Sequence, residues 1–127
     1  MRAVDTNVLV RLLVRDDAVQ FGKAVAFIAT GGWVSSVALV ETVWVLESVY
    51  TKSQNEIAES LDLLLGDSRL AFQDADVASA ALDQFRKHRA VDFADCLILE
   101  LARKAGHLPL GTFDRALGKA AGAERIG

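Results

Sequence analysis

The sequence predicts an α/β fold built on a parallel sheet with helices on both faces. Two observations carry this prediction. Short apolar runs of strand length alternate with segments of helical periodicity along the whole chain, and strands separated by helices imply a parallel sheet. The length of 127 residues, with 52% hydrophobic and 24% charged residues, suits one globular domain over residues 1–127.

Residues 2–4 form the first strand candidate, which ends at Asp5. Thr6 then caps a helix over residues 7–14. Phe21, Ala24, Val25 and Ile28 follow helical spacing, and Gly31-Gly32 stops that helix. Residues 33–35 are the second strand candidate, and Ser35 or Ser36 caps a strongly apolar helix running to Tyr50. Ser53 with Glu56 reads as a capping box, followed by the stripe Ile57, Leu61, Leu64, Leu65 and closed by Gly66. Residues 70–73 are the third strand candidate. A helix over 76–87 carries Val77, Ala80, Ala81 and Phe85 inward, and another over 93–104 closes at Gly106. Residues 108–112 are the fourth strand candidate. A short helix after Asp114 and a last strand at 124–126 complete the chain.

The net charge of -3 excludes a general DNA coat or a polybasic membrane binder. It is compatible with a nuclease that uses local acid to hold cations, which then attract phosphate. Cys96 is the one cysteine, so no intrachain disulfide forms, as suits a reducing cytosol. Arg11 and Arg15 interrupt the first apolar run, so it does not read as a signal peptide. The apolar run at 37–46 is broken by Glu41 and is too short to span a bilayer. A cytoplasmic protein with no membrane association is expected.

Four acids stand out. On a helix, Glu41 shares its face with Val37, Ala38, Trp44 and Val45, and Asp95 shares its own with Ile98, Leu99 and Ala102. An isolated carboxylate buried on such a face is very costly. Asp5 and Asp114 each follow a strand candidate, where ligands of parallel α/β folds gather. Each acid also has a purely structural reading. Glu41 can reach solvent at the core edge, and Asp95 can stabilise the first turn of a helix capped by Asp92. Asp5 can serve a turn, and Asp114 can cap the last helix. Taken jointly, acids from four distant segments can converge on one point. There they would repel one another without a cation. All-oxygen ligands suit Mg²⁺ or Mn²⁺, and no His/Cys set has zinc spacing.

Four blocks carry a family resemblance: AVDTNVLVRLLVRDD at 3–17, SSVALVETVWVL at 35–46, DFADCLILELA at 92–102 and GTFDRAL at 111–117. In this order they resemble the PIN-domain family, and within it the VapC-type toxins of toxin–antitoxin pairs. The resemblance implies a three-layer α/β/α fold with a central parallel sheet of four or five strands. It also implies a metal-dependent ribonuclease. Asp5, Glu41, Asp95 and Asp114 match the family's acidic quartet as catalytic residues and Mg²⁺ ligands, with Mn²⁺ as a substitute, and Thr6, Asn7 and Thr112 match supporting polar positions. RNA is then the substrate, a cognate antitoxin the partner, and a homodimer the assembly. The expected reaction uses water as nucleophile and leaves a 5′-phosphate and a 3′-hydroxyl.

Within that frame Asn7 is expected to orient Asp5, and Thr112 to hydrogen-bond water at the metal. Arg11 with Arg15, and the run Arg86, Lys87, His88, Arg89, are either phosphate contacts or solvated faces. Trp44, Val45 and Val49 either pack inside the monomer or cover a partner. Rival readings are a Mg²⁺-dependent phosphatase or receiver-like protein, or a catalytically silent PIN-fold binding module. The first wants Asp-x-Asp or a late lysine, whereas this chain has Asp5-Thr6-Asn7 and Thr112-Phe113-Asp114.

Overall fold

An aspartate ends the first strand after two residues and starts the first helix. The computed structural model describes residues 1–127 and divides into two compact units, Met1–Ala75 and Asp76–Gly127. The first unit runs β1 (Ala3–Val4), α1 (Thr6–Leu13), α2 (Ala18–Ile28), β2 (Gly32–Val34), α3 (Ser36–Ser48), α4 (Gln54–Leu65) and β3 (Leu70–Phe72). The second holds α5 (Ala75–Lys87), α6 (Phe93–Ala105), β4 (Leu110–Thr112), a 3₁₀ turn at Leu117–Lys119 and β5 (Ala123–Arg125).

The α/β class and the parallel pairing expected from the sequence hold, but the expected single sheet of four or five strands does not. In the first unit β1, β2 and β3 form a three-stranded parallel sheet, with Trp33 between Ala3 and Ala71, and Gly32 opposite Leu70. In the second unit β4 and β5 form their own parallel pair, Leu110 opposite Ala123. β4 pairs with the strand that follows it in sequence, β5, across the connection that holds the 3₁₀ turn, and no ladder joins this pair to β1, β2 or β3.

Several boundaries also move, each for a local reason. Asp5, not Thr6, caps α1, because its carboxylate accepts the Val8 N–H at 3.2 Å. Gly32 belongs to β2 instead of the helix stop, and Ser35 caps α3 through the Ala38 N–H at 3.1 Å. β4 starts at Leu110, since Pro109 has no N–H to give a ladder. The helix expected after Asp114 is a single 3₁₀ turn. The capping box of α4 forms as read, with Ser53 and Glu56 exchanging bonds at 2.9 and 3.2 Å.

In the first unit α1 packs on α2 and α3, and Leu9, Ile28, Val34, Leu39, Leu46, Ile57 and Leu61 are buried. Buried Thr42 donates its hydroxyl to the Ala38 carbonyl at 2.7 Å, so it brings no unmet polar group into the core. In the second unit Phe85 meets Phe93 edge to face, with centroids 6.0 Å apart. Buried Glu100 pairs with Arg103, whose guanidinium also donates to the Ala121 carbonyl at 2.6 Å. That joins α6 to the segment before β5. Gly122 lies beneath the same guanidinium with φ +90°, where a side chain would meet it at about 3.0 Å.

Gly32 offers a sharp test of the packing. A Cβ there would lie 3.1 Å from Ile28, 3.3 Å from Val4 and 3.4 Å from Leu70. Gly32→Ala should therefore lower stability in urea unfolding by about 1–3 kcal/mol. A neutral or stabilising result would show that the β2 layer has slack.

Candidate active site

The two acids of the first unit are each held by one hydrogen bond from α1. Asp5 sits at the junction of β1 and α1, exposed, with one carboxylate oxygen on the Val8 N–H. The capping geometry leaves its other oxygen without a partner. Thr6, the first residue of α1, donates its hydroxyl to Glu41 of α3 at 3.1 Å. Glu41 thus meets the residue next to Asp5. Asn7 is exposed and makes no hydrogen bond to Asp5, which binds backbone instead.

Glu41 corrects one premise of the sequence reading. Its helix face is apolar but only partly buried, with Ala38 inside and Val45 half-buried. Val37 is 67% and Trp44 64% exposed, and Glu41 itself is exposed between them. The glutamate is therefore hydrated in the monomer, and Trp44 and Val49 are not packed inside it.

The second unit holds Asp95 and Asp114. Asp95 lies in the first turn of α6, half-buried, above buried Leu99, while Ile98 turns outward. Asp92 takes the cap position without a side-chain cap bond. Burial, reinforced by the negative charges of Asp92 and Asp114, pushes the Asp95 carboxyl above the ordinary aspartate range. Asp114 follows β4. Its carboxylate accepts the Leu117 N–H at 2.7 Å, and Thr112 accepts the Asp114 N–H at 3.0 Å. Thr112 supports Asp114 through the backbone of this turn. Buried Cys96 is no nucleophile, since burial and the charges of Asp95, Asp92 and Glu100 push its thiol up to about 12.

The structure brings these acids into local relations within each unit. It assembles no group of three or more His, Cys, Asp or Glu side chains fit to hold a metal. The donor chemistry nonetheless suits a hard cation. Every candidate donor is a carboxylate, Asp5 and Asp114 each commit one oxygen to a backbone N–H, and Asp95 is crowded by like charge. The sequence reading gave Asp92 only a capping role and missed its pressure on Asp95. The signal was the three-residue spacing, one helical turn apart.

Residues 2–123 match the PIN domain family, and the chain belongs to that family. Among solved structures it is similar to Mycobacterium tuberculosis VapC20, described as a toxin that cleaves the sarcin–ricin loop. The two share 21% identity over 98% of each chain, with a TM-score of 0.43. No curated protein matches the chain.

The raised Asp95 value has a definite sign. A carboxyl that holds its proton more tightly when folded adds stability below the ordinary aspartate pKa. That stability is lost as pH rises through the raised value. In EDTA, Asp95→Asn should therefore gain stability relative to wild type between about pH 4 and pH 7. Urea unfolding at both pH values checks this, and an unchanged difference would show that Asp95 feels no such crowding.

Proposed function

We propose that this protein is a Mg²⁺-dependent endoribonuclease, with Mn²⁺ as a substitute ion, and the toxin of a toxin–antitoxin pair. Its catalytic domain spans residues 1–127. Asp5, Glu41, Asp95 and Asp114 are the metal ligands and catalytic residues, and Thr6, Asn7 and Thr112 support them. One observation carries this reading: the chain belongs to the PIN domain family over residues 2–123, and all four carboxylates fall within the matched residues. Carboxylates of one such site would repel one another without a cation.

When bound, the ion supplies positive charge that offsets the charge developing on the phosphodiester, and it acidifies the attacking water. The chain's own residues do the positioning. The Val8 and Leu117 N–H groups orient the Asp5 and Asp114 carboxylates, and the Thr6 hydroxyl orients Glu41. The exposed Val37 and Trp44 beside Glu41 support a partner surface, in keeping with a homodimer and a cognate antitoxin. No helix is long and apolar enough to cross a membrane, and the toxin reading places the work in the cytoplasm.

Labelled RNA and an aryl phosphate, each offered to pure protein with Mg²⁺ or EDTA, test the reading. RNA cleavage should require the metal and leave 5′-phosphate and 3′-hydroxyl ends. Asp95→Asn should reduce it by more than about 100-fold while keeping the fold. Mg²⁺ should raise the melting temperature of wild type more than that of the variant. A 2′,3′-cyclic phosphate product, cleavage that persists in EDTA, or turnover of the aryl phosphate alone would sink the proposal.

A further inference from the structure

The turn that carries Asp114 presents two neighbours that the fold does not use. Phe113 is 78% exposed, more than Trp44 at 64% or Trp33 at 37%. Arg115 is exposed and makes no hydrogen bond or ion pair within the chain. The backbone beneath them is held on every side. Thr112 accepts the Asp114 N–H, the Asp114 carboxylate accepts the Leu117 N–H, and the Asp114 carbonyl accepts the Gly118 N–H at 3.0 Å. The Ile126 N–H donates to the Thr112 carbonyl at 2.7 Å. Phe113 therefore stands in water on a bonded turn, not at the tip of a loose loop. A phenyl ring held there contributes almost nothing to the core.

An exposed ring and an unpaired cation two residues apart, at most about 7 Å along the backbone, make a specific chemical pair. Single-stranded nucleic acid is held by aromatic faces that stack on bases and by cations that meet phosphate. The sequence neighbours of Phe113 are Thr112, Asp114 and Arg115. Asp114, the residue between Phe113 and Arg115, is a proposed metal ligand, so an RNA strand held at that metal would pass both the ring and the cation. Building on the ribonuclease reading, we infer that Phe113 stacks on a base beside the cleaved phosphodiester while Arg115 meets an adjacent phosphate. Both are positioning residues, and the stack decides where along the strand the chain cuts.

The test uses a short single-stranded RNA that the wild-type protein cleaves with Mg²⁺. Phe113→Ala should raise KM roughly tenfold, within the range for loss of one base stack, shift or spread the cleavage positions along the RNA, and leave the melting temperature unchanged. Phe113→Trp should restore KM. Arg115→Ala should reduce the salt dependence of binding by about one charge. An abasic nucleotide moved along the RNA should raise KM for wild type at one position. At that position Phe113→Ala should be indifferent to it. If wild type cleaves RNA but Phe113→Ala keeps its KM, or no abasic position is special, the stack is overturned. A change in sedimentation in place of RNA affinity would make the ring a protein contact and overturn it too. If wild type cleaves no RNA at all, the ribonuclease reading falls first and takes this inference with it.

Discussion

A strand that turns at once into a helix or helical turn leaves amide protons unmet at the junction, and an aspartate is one of the few residues that can meet them. This constraint is solved twice in the chain. After β1, Asp5 accepts the Val8 N–H, and after β4, Asp114 accepts the Leu117 N–H. In both places one carboxylate oxygen holds the backbone, and the positive end of the first turn faces the acid. A structural cap and a metal ligand therefore do not exclude each other at these positions. The cap orients the carboxylate and leaves its second oxygen without a backbone partner.

Crowded charge is the second theme. Asp95 stands half-buried near Asp92 and Asp114, and its carboxyl is pushed above the ordinary range by burial first and by those charges next. Cys96, one residue on, feels the same field together with deeper burial. Like charges are not gathered for stability, since each raises the cost of ionising the others. In the apo protein this crowding favours the protonated form of Asp95. Glu100, by contrast, is buried with Arg103 as its partner and has a purely structural place beneath β5.

Exposure separates the candidate residues further. Glu41 and Trp44 share one face of α3, and both are open to water. Apolar neighbours in sequence had suggested a buried glutamate. A helix that is apolar nearly all round buries only the side its neighbours reach, here Ala38, Leu39, Thr42, Val43 and Leu46. Which side that is depends on packing, and periodicity alone cannot assign it when every face is apolar.

Local chemistry was legible in the chain itself. The capping box at Ser53 and Glu56, the alternation of strands and helices, and the four family blocks all rest on near neighbours, so sequence spacing suffices. Asp5 in place of Thr6 as the α1 cap was a local misreading. Both residues have capping oxygens, but Asp5 holds the extended backbone of the cap position, whereas Thr6 is already helical and donates its hydroxyl to Glu41, 35 residues away. Only the tertiary structure decided that hydroxyl's partner, the splitting of five strands into a sheet of three and a pair, the open face of α3, and the pressure of Asp114 on Asp95. Each depends on distances between segments far apart in sequence. Patterning can invite such contacts, but packing determines which of them form.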